Sequence, residues 1–155
     1  MKQKFSIGSA LSVLGLIALS GCDTLTPPLS EGTITGIGTV FLGYIGESKK
    51  LWFYHGTAYY GYVELTYFSY GPEVSAPYGI YVTTVDLDTA PLDTGGIYET
   101  RGCDLEYGKY YFFRPDTFHY GKLLLLDLIE YEEEDSATII VEWYIQTDST
   151  RRDFR

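Results

Sequence analysis

The chain has 155 residues, of which 45% are hydrophobic, 21% charged and 17% aromatic, and its 11 Lys and Arg against 21 Asp and Glu give a net charge of −10. This length and apolar content fit one domain with its own core and argue against a disordered, collagen-like or coiled-coil protein. The acidity argues against nucleic acid as a partner, because phosphate binding needs a basic surface.

The N-terminal residues have the pattern of a secretory signal. Lys2 and Lys4 form a positive region, and an apolar stretch follows from Ile7 to Leu19. This stretch is too short to cross a hydrocarbon core of about 30 Å as a helix. It ends in Leu19-Ser20-Gly21-Cys22, which resembles the lipobox of bacterial lipoproteins. The alternative is an ordinary secretory signal with a chance cysteine.

The lipobox resemblance implies that residues 1–21 are a signal peptide and that Cys22 carries the lipid. Several acyl chains on one residue make a lasting membrane anchor, since each buried CH₂ contributes about 0.8 kcal/mol. Cleavage would leave nine basic and 21 acidic residues, a net charge of −12. We therefore expect a cell-envelope protein that is attached to a membrane by its lipid. Asp23 resembles an inner-membrane retention signal and slightly favours that membrane over the outer one.

The rest of the chain predicts a short tether and one β-rich domain. Residues 22–32 contain the lipidated cysteine and Pro27-Pro28 among small polar residues, as a tether would. From residue 33 to 155, strand-forming residues are interrupted by Gly, Pro and Asp at short intervals. We predict an all-β fold, a small antiparallel β-sandwich or barrel of about eight strands. The strands are expected at 33–43, 50–55, 59–70, 78–86, 96–101, 109–114, 121–131 and 137–146.

The clearest strand is 137–146, in which hydrophobic residues alternate. Its odd-numbered residues from Ile139 to Ile145 form an apolar face, while the even-numbered residues, including Tyr144 and Gln146, form a wetter one. The acidic run Glu132–Asp135 before it is predicted to be a solvated hairpin loop, because four like charges cannot be buried unpaired.

A weak internal repeat supports the β assignment. A shift of 60 residues aligns Phe53 with Phe113, Tyr60-Gly61 with Tyr120-Gly121, and Leu65 with Leu125. The repeat predicts two similar hairpins, one in each sheet.

Tyrosine is the unusual component, with sixteen residues, all after Cys22. On a β scaffold a tyrosine offers a rigid apolar plate with a polar tip, which suits stacking on sugars or contact with proteins. It is also a good strand residue, so many of the sixteen are expected to be structural. The candidate ligand-binding residues are Tyr59, Tyr60, Tyr62, Tyr110 and Tyr120.

Three carboxylates on one loop are the candidate metal ligands. Asp86, Asp88 and Asp93 provide oxygen atoms of the kind Ca²⁺ prefers. Their spacing is not that of an EF-hand, and Asp, Pro and Gly are also common in any long turn. His55 and His119 are the only histidines and would have to meet in space to bind a metal or haem.

The sequence contains none of the common catalytic motifs, so we expect no cofactor and no enzymatic activity. Cys103 is expected to be a half-buried small hydrophobe without a disulfide partner, because Cys22 is lipidated.

Segment 109–147 resembles the C-terminal hairpin of HmuY-type haem-binding lipoproteins. The resemblance covers an aromatic strand, a Gly-Lys turn into an apolar strand, and a terminal aromatic strand. In this chain these are Lys109-Tyr110-Tyr111-Phe112-Phe113, Tyr120-Gly121-Lys122-Leu123 and Ile139 to Gln146. The family's upstream motifs and haem-ligand histidines have no match here, so the resemblance implies no haem residues.

These patterns favour a non-enzymatic, lipid-anchored β domain that binds or organises the envelope through an aromatic, acidic surface. Its partners would be the membrane, through the anchor, and an envelope protein or glycan. The first alternative is a carrier for a sugar, haem or lipid, which should have a deep apolar pocket. The second is an enzyme that uses a carboxylate pair such as Glu64 with another acid.

Overall fold

The computed structural model describes residues 28–92 and 95–155, which form nine β-strands in two antiparallel sheets. The predicted signal peptide 1–21, Cys22 and Asp93 lie outside these residues. No strand pairing among the described residues joins the sheets, so the predicted all-β fold is confirmed, as a sandwich rather than a barrel. The strands are β1 (Thr33–Leu42), β2 (Ser48–His55), β3 (Ala58–Phe68), β4 (Gly71–Ser75), β5 (Ile80–Thr83), β6 (Cys103–Asp104), β7 (Tyr110–Phe113), β8 (Tyr120–Tyr131) and β9 (Ser136–Gln146).

The larger sheet has the order β1-β9-β8-β7-β5, and the smaller has the order β2-β3-β4-β6. β1 pairs with β9 along its whole length, beginning with Thr33 opposite Gln146. β8 and β9 form a long hairpin that closes through a 3-10 turn at Glu132–Glu134 and through Asp135, whose φ is 51°. All four acidic residues are exposed, which confirms the predicted hairpin loop.

The hydrophobic core lies between the two sheets and takes alternate residues from most strands. Burial of each large apolar side chain contributes about 1.5–3 kcal/mol. The fully buried members are Leu42, Phe53, Val63, Leu65, Tyr111, Phe113, Leu123, Ala137, Ile139, Val141 and Ile145.

A second apolar cluster covers the outer side of the larger sheet. Phe112 and Tyr144 lie there under Ala90, Tyr98 and Phe154, which come from the β5–β6 connection and from the segment after β9. We call residues 147–155 the tail. The tail is fixed by main-chain bonds, such as the 2.7 Å bond from the N–H of Phe154 to the carbonyl oxygen of residue 88.

The tail changes the environment of β9. The predicted alternation of its side chains is present, but Tyr144 and Gln146 are buried instead of lying on a wetter face. The amide of Gln146 donates to the carbonyl oxygen of Asp153 at 2.7 Å, and the guanidinium of Arg155 donates to the hydroxyl of Tyr144 at 3.0 Å. The expectation of a wetter face is confirmed at Ile140 and Glu142, which are partly exposed, and was wrong at Tyr144 and Gln146, because the tail covers them.

Strand boundaries differ from the prediction in the middle of the chain. Residues 96–101 form no strand, only a single bridge from Glu99 to Ile80, and the preceding Gly95 and Gly96 both have positive φ. The turn predicted at Gly71-Pro72 lies two residues earlier, so that β4 starts at Gly71. Neither β4 nor the two-residue β6 was predicted, and the strand predicted at 96–101 is absent, so the described chain has nine strands instead of about eight.

The two hairpins of the predicted repeat do lie in different sheets. β2 and β3 pair in the four-stranded sheet, whereas β7 and β8 pair in the five-stranded one. Within the described residues no helix is long and apolar enough to cross a bilayer.

Candidate functional site

Four aromatic side chains form a continuous exposed surface on the outer face of the four-stranded sheet. Trp52 contacts Tyr62 with ring centroids 4.8 Å apart and Tyr59 at 5.7 Å, and Tyr59 contacts Tyr54 at 5.3 Å. Neighbouring rings are inclined by 42–52°, and three of the four side chains are about half exposed. We call these four residues the aromatic platform.

A β-bulge brings the two β3 members of the platform to the same face. Trp52 pairs with Tyr62 and Tyr54 pairs with Tyr59, so one more residue lies between the partners on β3 than on β2. Gly61, with a φ of 90°, occupies this extra position, where a Cβ would collide with the carbonyl oxygen of Pro115. In a regular strand Tyr59 and Tyr62 would face opposite sides, since they are three residues apart.

The side chains of the platform are uncharged, and one positive charge, that of Lys50, lies at its edge. The ammonium of Lys50 lies 4.2 Å from the ring centroid of Tyr62 and 5.3 Å from that of Trp52, which are cation–π distances. Partial burial, and then the neighbouring hydroxyls of Tyr54 and Tyr62, raise the pKa of Tyr59 above its ordinary value of 10.0. The Tyr59 hydroxyl therefore stays protonated at neutral pH and can both donate and accept hydrogen bonds.

A small polar hollow adjoins the platform. Its volume is about 200 Å³, and its polar side chains come from Glu64, Ser75 and Thr100 beside the ring of Tyr62. Glu64 follows Tyr62 by two residues on β3, so both side chains lie on the outer face. The hollow offers hydrogen-bonding groups next to an apolar ring surface.

The five tyrosines predicted to bind ligand do not form one surface. Tyr59 and Tyr62 belong to the platform, but the bulge turns Tyr60 toward the core, where its ring contacts His119 edge-on at 5.1 Å. Tyr110 and Tyr120 pack in the second apolar cluster, on the outer side of the other sheet.

Two platform residues were not among the candidates, Trp52 and Tyr54. Their signal in the sequence is the alternation on β2, where residues 50, 52 and 54 face outward and Phe53 faces the core.

Of the three candidate calcium ligands, the structure describes Asp86 and Asp88. The carboxylate of Asp86 accepts a 2.7 Å bond from the ammonium of Lys122 and lies 3.7 Å from the guanidinium of Arg155. Asp88 is exposed. Among residues 28–92 and 95–155 no group of three or more His, Cys, Asp or Glu is placed to hold a metal ion.

Lys122 is the most deeply buried charge of the outer cluster, with 1% of its side chain exposed. Its ammonium lies 4.8 Å from the ring centroid of Tyr144 and 5.6 Å from that of Phe154. It lines a 180 Å³ hollow that also contains Asp86, Glu142 and Arg155. The carboxylate of Asp86 lies between Lys122 of β8 and Arg155 of the tail, so these charges help to hold the tail against the larger sheet.

A larger cavity of about 350 Å³ lies beside β5. Ile80, Val82 and Ile97 give it apolar walls, while Glu99 and Arg101 lie at the same wall and form a salt bridge with each other. This volume is at the lower limit for small-molecule sites.

Cys103 also lines this cavity and is half-buried, as predicted. Burial, and then the nearby carboxylates of Asp104 and Glu73, raise the pKa of its thiol to about 11. It is therefore a weak nucleophile at neutral pH.

No known protein family, curated protein or solved structure matches the chain. The segment that resembles HmuY-type lipoproteins forms β7, β8 and β9.

Proposed function

We propose that this chain is a lipid-anchored, non-enzymatic binding protein of the bacterial cell envelope, and that the aromatic platform contacts a neutral envelope glycan. The observation that supports the binding role most directly is the cluster of Trp52, Tyr54, Tyr59 and Tyr62 on the outer face of the four-stranded sheet. Lipid attachment at Cys22 would hold the domain at a membrane, with Asp23 favouring the inner one.

The platform leaves apolar surface exposed to water in the free protein, which costs free energy. The exposed fractions of Trp52, Tyr54 and Tyr59 are 44%, 56% and 46%. Contiguous exposed aromatic surface marks an interaction site more often than isolated exposed residues do. Ring contacts along the platform also hold the side chains in place, which reduces the entropy lost on binding.

A glycan fits the chemistry of this surface. A sugar ring presents C–H groups on its faces and hydroxyls around its rim, so it packs on an aromatic ring while its hydroxyls need polar partners. The tyrosine hydroxyls, with Glu64, Ser75 and Thr100 in the adjoining hollow, provide such partners. A net charge of −10 disfavours anionic polymers, so a neutral glycan is the better match.

The carrier remains the second candidate because of the 350 Å³ cavity beside β5. A carrier predicts that a small molecule stays in that cavity during purification. Native mass spectrometry of protein purified from its own host would detect the retained mass.

The glycan proposal is tested by titrating the protein with neutral hexasaccharides of β-linked glucose and of N-acetylglucosamine, with calorimetry as the readout. We expect Trp52→Ala and Tyr59→Ala each to weaken binding about tenfold, which corresponds to about 1.4 kcal/mol. Tyr78→Ala is the matched control, since Tyr78 is 45% exposed and lies outside the platform. Equal glycan binding by Trp52→Ala and Tyr78→Ala, or no glycan binding by the unaltered protein, would contradict the glycan proposal. In that case, a pull-down of an envelope protein that depends on Trp52 would favour a protein partner.

A further inference from the structure

Each sheet of the sandwich has two edge strands, and three of the four are protected against pairing with another chain. β2 carries Lys49 and Lys50 and has a bulge in its pairing with β3. β5 is bridged by Glu99, and β6 is only two residues long. The fourth edge, β1, has none of these protections before Phe41, whose carbonyl oxygen accepts from Lys49.

β1 is long, regular and uncharged. It has ten residues, and no Asp, Glu, Lys or Arg occurs from Gly32 to Gly46. Its pairing with β9 shows no bulge. Ile37 is 68% exposed at its centre. In a chain with 21% charged residues, this edge is where two acidic molecules can approach with the least repulsion.

The main-chain groups of alternate β1 residues point away from β9. The carbonyl oxygen of Gly32 accepts from Thr147, whereas that of Phe41 accepts from the ammonium of Lys49 on the neighbouring sheet. Because N–H and C=O directions alternate along a strand, the odd-numbered residues face the free edge. In the described part of the chain, the main-chain groups of Thr35, Ile37 and Thr39 have no hydrogen-bond partner at that edge.

The sequence at this edge is the same when read in either direction. Residues 35–39 are Thr-Gly-Ile-Gly-Thr, a palindrome centred on Ile37. When two such strands pair antiparallel about a two-fold axis at Ile37, each Ile37 lies opposite the other and each Thr35 lies opposite Thr39 of the second copy. Cross-strand Thr–Thr and branched apolar pairs are favourable in antiparallel sheets.

We propose that the protein forms a symmetric homodimer in which the β1 strands of two copies pair antiparallel about Ile37 and join the five-stranded sheets into one. The three residue pairs at 35–39, 37–37 and 39–35 each exchange two main-chain hydrogen bonds. Pairing ends at Thr39, because Lys49 already occupies the carbonyl oxygen of Phe41. The aromatic platform is on the other sheet and takes no part in this strand pairing.

Disulfide trapping in host membranes that contain the full chain tests the register of this interface. Cα atoms of a directly opposed, hydrogen-bonded pair are about 5.5 Å apart, which a disulfide spans. Ile37→Cys should therefore give a covalent dimer on non-reducing gels after mild oxidation. Thr39→Cys is the matched control, since its two copies would be about 14 Å apart across the axis. Equal trapping of the two variants, or no trapping of Ile37→Cys, overturns the proposal.

Sedimentation of the mature chain in mild detergent tests the dimer itself. We expect a dimer for the unaltered protein and at least a tenfold lower dimer fraction for Ile37→Lys, because two ammonium groups would meet at the axis. The control is Val85→Lys, since Val85 is 58% exposed in a loop. Circular dichroism checks that both variants keep the fold. A monomeric unaltered protein, or an undiminished dimer in Ile37→Lys, contradicts the inference.

Discussion

Phe53 of β2 and Phe113 of β7 stack across the centre of the sandwich, with ring centroids 5.4 Å apart and ring planes inclined by 26°. Both side chains are fully buried, and each comes from a different sheet. They are also the pair that the 60-residue repeat aligns. The corresponding positions of the two hairpins therefore meet at the interface between the sheets.

The stacked pair should show energetic coupling. Phe53→Ala and Phe113→Ala are each expected to lower the free energy of unfolding by about 3–5 kcal/mol, because both leave a cavity in the core. The double variant should lose about 0.5–1.5 kcal/mol less than the sum, since the second truncation removes a ring contact that is already lost. Urea denaturation gives the free energy of unfolding of the unaltered protein, the two single variants and the double variant. Strictly additive losses would show that the ring contact contributes nothing of its own.

Gly61 should be the most sensitive glycine of the β2–β3 hairpin. Gly61→Ala adds a Cβ at a φ of 90° and against the carbonyl oxygen of Pro115, so we expect a loss of about 3 kcal/mol. Gly56→Ala is the control, because Gly56 also has a positive φ, 61°, but has no atom within 4 Å of the added carbon. It should lose only about 1 kcal/mol. Similar losses by thermal or urea denaturation would contradict the role assigned to the Pro115 contact.

The salt bridge between the buried Lys122 and Asp86 should respond unequally to removal of its two partners. Asp86→Asn leaves the ammonium of Lys122, which is 1% exposed, without its carboxylate, and should cost about 3 kcal/mol. Lys122→Met leaves a carboxylate that is 33% exposed and still close to Arg155, so the cost should be smaller. Chemical denaturation at neutral pH distinguishes the two. A larger loss for Lys122→Met would reverse this assignment.

Cys103 should react slowly with alkylating reagents in the folded protein. With a pKa of about 11, about 1% of the thiol is ionised at pH 9. Because the folded-state pKa lies above the unfolded value, the neutral thiol stabilises the fold below the unfolded pKa, and this contribution is lost as the pH rises toward 11. Iodoacetamide labelling followed by mass spectrometry should accelerate in urea. Rapid labelling of the native protein at pH 8 would disagree with the raised pKa.

The proposed anchor has its own test. Cys22→Ala should prevent lipid attachment and leave an unprocessed precursor, which is larger by the 21 signal residues on a gel. Metabolic labelling with an alkyne-bearing palmitate analogue detects the lipid directly. Ser20→Ala, which keeps a small residue at that lipobox position, is the control and should be labelled normally. Labelling of the Cys22→Ala protein would refute the assignment.

The sequence was sufficient for the elements whose pattern is purely local. The alternation in β9 and the acidic hairpin loop at 132–135 follow from side-chain period and charge alone. The absence of a strand at 96–101 was harder to predict, because this segment contains strand-forming residues. Gly95 and Gly96 prevent a strand there, since both have a positive φ.

The composition of the platform and the burial of the outer cluster depend on tertiary structure. A glycine inside a strand pattern suggests a bulge, but only the pairing with β2 shows that Gly61 forms one and that the bulge determines which tyrosines face outward. The burial of Tyr144 likewise requires the tail, whose own sequence has no regular period. The abundance of tyrosine therefore made Tyr59 and Tyr62 candidates, whereas a strict period of two would have placed them on opposite faces.

The pairing of β1 with β9 also has a consequence for biosynthesis. Thr33 and Gln146, which bond through their side chains, are 113 residues apart. At 5–20 residues per second, a ribosome takes roughly 6–20 s to synthesise the chain from β1 to the end of its partner strand β9. The larger sheet is therefore incomplete until late in synthesis. During that interval the uncharged β1 segment lacks its partner strand and can pair with another chain.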